Sequence, residues 1–180
     1  LPITTKIKLT EAGEIRDIIF DFINIEEQNK MVKSKITKIN SDIKELKIGE
    51  AEESLNELGK MKSLKSYEKD YLEIKGKLKS AKLRLFDIDR SIKFEIEKVK
   101  ENIKKSEASK VGYVEKNKNL TKLYKESVDY LEKIILSHPY TTYRYDVNIL
   151  QSDIYAKLGM PNSAKNAMEE AKKYEGRRKE

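Results

Sequence analysis

Residues 15–46 read IRDIIFDFINIEEQNKMVKSKITKINSDIKEL, and this stretch decides the fold class. Its core positions recur at alternating steps of three and four, a heptad repeat that favours a long helix with one apolar seam. The series contains Ile15, Ile18, Phe22, Ile25, Asn29, Val32, Ile36, Ile39, Ile43 and Leu46. Because the pattern holds for more than four heptads, we expect a coiled-coil helix that ends at Gly49.

Asn29 is the one polar residue in that seam. A polar residue at such a position can fix the register or the number of partners of a coiled coil, at a cost in stability. The alternative is that Asn29 contacts water or a neighbouring polar group. The sequence leaves both interpretations open.

A second heptad series follows Gly59 and predicts another long helix. Its members are Leu64, Tyr67, Tyr71, Ile74, Leu78, Ala81, Leu85, Ile88, Ile92, Ile96, Val99 and Ile103. Two long helices with a short connector fold back on each other. We therefore predict an antiparallel coiled-coil hairpin over residues 10–105, preceded by an extended arm at 1–9. Apolar residues outside the seam would need a third helix or a partner chain, namely Ile19, Ile23, Phe86 and Phe94.

The rest of the chain has a different pattern. The apolar period is lost at 106–118, where Gly112 interrupts the sequence, so we predict a bend or linker there. For residues 119–176 we predict shorter packed helices. Helices should end at His138-Pro139 and at Gly159, and a new helix should start at Pro161. Residues 177–180 read as a tail.

The composition supports an all-α class and excludes several chemistries. The 180 residues include only seven Gly and three Pro, whereas an all-β fold needs a turn signal every ~8–12 residues. The absence of Cys excludes disulfides, cysteine zinc sites and thiol nucleophiles. The single histidine, His138, precedes a proline, and the sequence contains no nucleotide-binding or metalloprotease motif. We therefore predict a non-catalytic protein that uses no cofactor and no metal.

The net charge of +7 comes from 38 basic and 31 acidic residues. Only six of the basic residues are Arg, the side chain best suited to reading phosphate and guanine. Acids are interleaved even in the Lys-rich stretch 93–125, so we interpret the charge as solvated helical faces and expect no specific nucleic-acid partner. Contact of these lysines with nucleic acid or anionic lipid is the alternative. No apolar run is long enough for a transmembrane helix.

Five positions near the C-terminus have a characteristic spacing of four, five, four and three: Tyr155, Gly159, Ala164, Met168 and Ala171. This pattern resembles the tetratricopeptide repeat, a pair of packed helices. Gly159 would permit the tight turn, and the two alanines would let the helices approach closely. The resemblance covers residues 119–175, because Ser127, Leu131, Ile134 and Pro139 match the second helix of a preceding repeat. Asn148 departs from the pattern, since the family usually has Trp at that position.

Tetratricopeptide modules bind proteins or peptides in a groove, so the resemblance implies a partner-binding surface on the first helix of the pair. The candidate residues are Tyr145, Asn148, Gln151 and Ser152, with Tyr140 and Tyr143 completing an aromatic cluster. Aromatic side chains are enriched at binding hot spots. The alternative is that the tyrosines pack the joint between the long hairpin and the repeat.

The long Ile- and Lys-rich helices are also similar in style to helical envelope lipoproteins of spirochaetes such as Borrelia. That similarity implies a periplasmic or outer-membrane-associated location, with a lipid anchor upstream; a cytoplasmic location is the alternative. We expect a protein-interaction or scaffold module that docks another protein or a second copy of itself. The alternatives are a surface or periplasmic lipoprotein that contacts host molecules, and a protein that binds nucleic acid through its lysines.

Overall fold

The computed structural model describes the backbone of residues 12–177 and the side chains of residues 24–61 and 64–176. Every regular element within this range is helical, which confirms the all-α class. The elements are α1 (Ala12–Lys44), α2 (Ile48–Gly59), a 3₁₀ helix (Lys62–Tyr67), α3 (Glu68–Glu107), α4 (Tyr113–Ser137), α5 (Arg144–Lys157), α6 (Pro161–Lys172) and a last 3₁₀ helix (Glu175–Arg177).

The described part of the chain forms two compact units, which divide after residue 81 inside α3. The segment 106–118, predicted as a bend, lies within the second unit. It contains the α3–α4 turn at 108–112, but residues 113–118 already belong to α4, so the break is shorter than the sequence indicated. The predicted arm at 1–9 lies outside the described residues, and of the tail at 177–180 only residue 177 is described.

Helix α1 ends earlier than predicted, at Lys44, because Leu46 adopts a left-handed conformation with φ of 60°. The Leu46 N–H donates to the Ile43 carbonyl at 3.1 Å, and the Lys47 N–H donates to the Asp42 carbonyl at 2.8 Å. These two bonds are those of a Schellman helix end, a position that glycine normally occupies. Gly49, the predicted end of this helix, lies in α2 instead.

The first unit has its own core, which α1, α2 and the start of α3 build from Val32, Ile39, Ala51, Leu55, Leu58, Ile74 and Leu78. Helices α1 and α2 are antiparallel, because Lys35 pairs with Glu57 while Lys38 Nζ donates to Ser54 Oγ at 3.0 Å. A 12-residue helix therefore packs along α1. The predicted coiled-coil pairing of α1 with α3 is not confirmed.

The α1 seam is buried over only part of its described length. Val32 and Ile39 are fully buried, while Asn29 is half-buried. Ile25 is 56% exposed. The earlier members of the seam, and the flanking Ile19 and Ile23, lie outside the described side chains.

The second unit packs the C-terminal part of α3 against α4 and α5. Helices α3 and α4 are antiparallel, because the Tyr124 hydroxyl donates to Glu107 at 2.8 Å and the Tyr130 hydroxyl donates to Glu95 at 2.6 Å. The core contains Ile92, Ile96, Val99, Ile103, Tyr124, Val128, Leu131, Ile134, Ile135, Val147 and Ile154. The apolar face predicted for α3 is thus buried, but its two halves belong to separate cores.

Helices α5 and α6 form an antiparallel hairpin, and the turn between them contains the predicted glycine. Gly159 has φ of 71°, and the neighbouring Met160 N–H donates to the Tyr155 carbonyl at 2.9 Å. Glycine is favoured there because a Cβ would be strained in the left-handed region. Helix α6 begins at Pro161, as predicted. Ala171 is fully buried, while Ala164 and Met168 are half-buried.

We expect Leu131→Ala to lower the free energy of unfolding of the second unit by about 2–5 kcal/mol, because Leu131 is completely buried and its loss leaves a cavity. Chemical denaturation followed by circular dichroism measures this change. Leu136→Ala is the matched control, since Leu136 lies on the same helix but is 72% exposed. Similar losses in the two variants would contradict this description of the core.

Candidate functional site

The predicted tyrosine cluster lies at the start of α5. Tyr140, Tyr143 and Tyr145 are all half-buried, and Tyr143 packs against the core of the second unit. Tyr143 therefore contributes to packing within the second unit. This placement supports the packing interpretation for Tyr143 and leaves partner contact by the cluster a prediction.

Three other predicted partner-binding residues are buried, which corrects the expectation that they line an open groove. Asn148, Gln151 and Ser152 are 2%, 4% and 6% exposed. Gln151 Nε2 donates to Glu132 of α4 at 3.1 Å, and Ser152 Oγ donates to the Ala164 carbonyl of α6 at 2.8 Å. The reason is that neighbouring helices already cover this face of α5.

A buried carboxylate anchors the segment between α4 and α5. Asp89 of α3 is only 9% exposed. It accepts hydrogen bonds from the Thr141 hydroxyl at 2.5 Å, the Thr142 hydroxyl at 2.7 Å and the Thr142 N–H at 3.2 Å. Charge-assisted bonds of this kind are among the stronger ones in proteins. The sequence analysis did not identify Asp89 as a structural residue, although an acid among the apolar positions of α3 can indicate a buried carboxylate.

Arg144 links the start of α5 to the residues that follow α6. Its guanidinium lies over the Tyr174 ring at 4.5 Å, and Nη1 donates to the Pro139 carbonyl at 3.1 Å. Nη2 is 3.6 Å from Glu170. Planar guanidinium groups suit such combined stacking and hydrogen bonding. Arg144 thus holds the start of α5 against the end of α6.

A cleft of about 390 Å³ lies between α3 and α5. Its lining contains Lys100, Ile103, Lys104, Glu107, Leu150, Asp153, Ile154, Ala156 and Lys157. The open face of α5 is therefore the one carrying Leu150, Asp153 and Lys157, opposite the face that the repeat resemblance indicated. Helical spacing alone could have found this face, because residues three and four apart share a side of the helix.

Two of the charged residues that line the cleft, Glu107 and Lys157, pair with each other. Lys157 Nζ is 2.5 Å from Glu107 Oε1, which also accepts the Tyr124 hydroxyl. These two hydrogen bonds lower the pKa of Glu107. Burial raises the pKa of Tyr124 to about 12, and its hydrogen bond to Glu107 adds to the effect. The cleft thus combines the apolar residues Ile103 and Ile154 with charged residues of which Glu107 and Lys157 neutralise each other.

The outer side of α3 in the second unit carries a second apolar stripe. Leu83, Phe86 and Phe94 are 62%, 65% and 67% exposed. At 100° per residue they lie opposite the buried face that contains Leu85 and Ile92. The exposure of the two phenylalanines confirms that they lie outside the chain's own core. We call these three residues the α3 outer stripe.

Some lysines elsewhere on α3 are paired with acids one helical turn away. Lys100 contacts Glu97 at 3.1 Å, and Lys105 contacts Glu101 at 2.7 Å. Such exposed pairs add little stability, but they reduce the charge available to phosphate groups. This pairing follows the interleaved pattern seen in the sequence.

The described residues contain no group of three or more acids or histidines that could hold a metal ion. Among the same residues, none of the helices is both long and apolar enough to cross a lipid bilayer. No protein-family model matches the chain, and no characterised protein or solved structure is significantly similar to it. The tetratricopeptide and spirochaete resemblances therefore remain predictions from the sequence.

We expect Asp89→Ala to lower the free energy of unfolding by about 1.5–3 kcal/mol, because it leaves the buried Thr141 hydroxyl without its charged acceptor. Asp87→Ala is the control, since Asp87 is an exposed carboxylate on the same helix. Its effect should stay within about 0.5 kcal/mol. Urea unfolding of both variants decides the matter, and equal effects would show that Asp89 is not the anchor.

The Tyr124–Glu107 pair predicts a pH dependence on the alkaline side. Because the pKa of Tyr124 is raised from 10.0 to about 12 in the folded state, its contribution to stability is present below pH 10 and is lost as the pH rises toward 12. Near-ultraviolet titration should show one tyrosine ionising near pH 12. Tyr124→Phe should remove it, and Glu107→Gln should lower the pKa of Tyr124; an unchanged titration in Tyr124→Phe would refute the assignment.

Proposed function

We propose that the protein is a non-catalytic interaction module that binds a helix of a partner protein along the α3 outer stripe. The observation that carries this proposal is that α3 is apolar on two opposite sides in the second unit. One side is buried by α4 and α5. The other exposes Leu83, Phe86 and Phe94. A helix that is apolar on both sides has a second surface to bury.

The stripe has the dimensions of a helix–helix contact. Phe86 and Phe94 are eight residues apart, which corresponds to roughly 12 Å along the helix axis. A second helix can therefore place an apolar side chain between the two rings. Burial of one large apolar side chain contributes about 1.5–3 kcal/mol, before the cost of association is subtracted.

Exposed cations outnumber the acids Asp87 and Glu97 beside the stripe, and Glu97 is paired with Lys100, so the charges favour an acidic partner. Arg90, Lys93 and Lys98 are exposed, and none of them forms an ion pair with another described residue. Carboxylates flanking the apolar face of a partner helix would meet these cations and set its orientation. A second copy of this chain would instead bring the same cations together, so a different, acidic protein suits the surface better.

The other expectations from the sequence add no further binding site to this proposal. A location in a bacterial cell envelope and a role for Asn29 in register stay predictions. Contact with host molecules is the alternative role for the same surfaces. Nucleic-acid binding gains no support, because several lysines of the 93–125 stretch contact acids within the chain.

The proposal is tested by placing the photoreactive residue p-benzoylphenylalanine at position 86 in cells of the source organism. We expect one discrete cross-linked species, because a specific partner presents a fixed helix to Phe86. Phe94→Glu should abolish it without changing the circular dichroism spectrum, since Phe94 is 67% exposed. Mass spectrometry then identifies the partner and its acidic helix.

The matched control places the same photoreactive residue at Lys133, an exposed position on α4. It should give no discrete species. The proposal fails if positions 86 and 133 give the same products, or if the product has twice the mass of this chain. The second outcome would assign the stripe to self-association.

A further inference from the structure

The turn between α3 and α4 exposes apolar side chains at the end of a helical hairpin. Val111, Tyr113 and Val114 are 42%, 79% and 82% exposed. Tyr113 and Val114 have the highest exposure of any large apolar side chain in the described part of the chain. They adjoin the turn at 108–112, and we call residues 108–118 the α3–α4 tip.

The tip projects because α3 ends before it can cover the start of α4. Helix α3 stops at Glu107, which the Tyr124 hydroxyl contacts. Tyr113 precedes Tyr124 by eleven residues, close to three helical turns, so it lies on the same side of α4. The distance along the axis is roughly 16 Å. Tyr113 therefore continues the apolar face of α4 beyond the point where the chain buries it.

The tip also carries basic side chains. Lys110 and Lys118 are exposed, and neither of them forms an ion pair with another described residue. Lys105 is neutralised by Glu101, and Glu115 is the exposed acid of the tip. The tip thus combines three projecting apolar side chains with an excess of positive charge.

We propose that the α3–α4 tip docks on an anionic lipid surface, with Val111, Tyr113 and Val114 entering the bilayer interface. Lysines at the same end would contact the phosphate groups, because anionic headgroups attract basic residues near the membrane. Tyrosine is enriched at this depth, where its ring is apolar and its hydroxyl reaches water. The contact is peripheral and uses residues distinct from the α3 outer stripe.

The shape of the tip favours a membrane over a protein as its occupant. A specific protein interface buries about 800 Å² on each partner, which three side chains at a convex end do not supply. A lipid interface has no fixed shape, so it accepts isolated apolar side chains beside cations. One such tip gives reversible binding, which a second attachment can strengthen.

The test uses the full chain and an intrinsic reporter. The sequence contains no Trp, so Tyr113→Trp introduces a single indole at the tip. Its emission should shift to shorter wavelength with vesicles of phosphatidylcholine containing about 30% phosphatidylglycerol, and not with phosphatidylcholine alone. Leu136→Trp is the control, because Leu136 is 72% exposed on the same helix but lies away from the tip. Its emission should not change.

Co-sedimentation with the same vesicles separates insertion from general attraction. The double variant Tyr113→Ser/Val114→Ser should bind about tenfold less, as should Lys110→Gln/Lys118→Gln at moderate salt. Leu136→Ser should bind like the parent protein, and circular dichroism checks that every variant is folded. The proposal is overturned if the parent protein does not sediment with anionic vesicles. It is also overturned if the serine variants bind as the parent does, or if both indoles shift alike.

Discussion

The second unit depends on one buried carboxylate. Asp89 occupies a place on the packed side of α3, where an ion without partners would be strongly destabilising. Its hydrogen bonds to Thr141 and Thr142 remove that penalty and fix the segment that leads into α5. Because this segment fixes the position of the start of α5, the face of α5 that carries Gln151 and Ser152 packs against α4 and α6. The opposite face then remains open toward the cleft. The burial of the predicted groove residues and the opening of the cleft therefore have the same origin.

Much of the helical architecture could be predicted, because it depends on local chemistry. The heptad series of α3 identified the buried face from Ile74 to Ile103, since burial repeats with the helical period. Pro161 and Gly159 marked the α5–α6 turn, because their backbone preferences are intrinsic. The end of α1 was missed for the converse reason. Leu46 takes a left-handed conformation that its own side chain disfavours, so only the surrounding contacts explain it.

The candidate site was harder to predict because it depends on which neighbour covers each face. Tyr155, Gly159 and Ala171 of the repeat-like spacing lie in the α5–α6 hairpin, but the repeat packing itself stays a prediction. The spacing could not show that Glu132 of α4 would lie beside Gln151. Polar residues on a helix give the same pattern whether they face a groove or another helix. Spacing within one element therefore limits the choice of faces, and long-range packing makes that choice.

The distribution of ion pairs separates the lysines that acids neutralise from the basic residues that have no acidic partner among the described residues. Acids one turn away neutralise Lys100 and Lys105, and Glu107 neutralises Lys157. The cations without such partners include those beside the α3 outer stripe and those of the α3–α4 tip. Both groups adjoin exposed apolar side chains. Covering either surface would therefore bury apolar area, and the cations would favour a negatively charged occupant. Uniformly spread lysines would only keep the protein in solution. Lysines left unpaired next to Phe94 or Tyr113 would instead favour an occupant that is both apolar and negatively charged, as the two proposed contacts require.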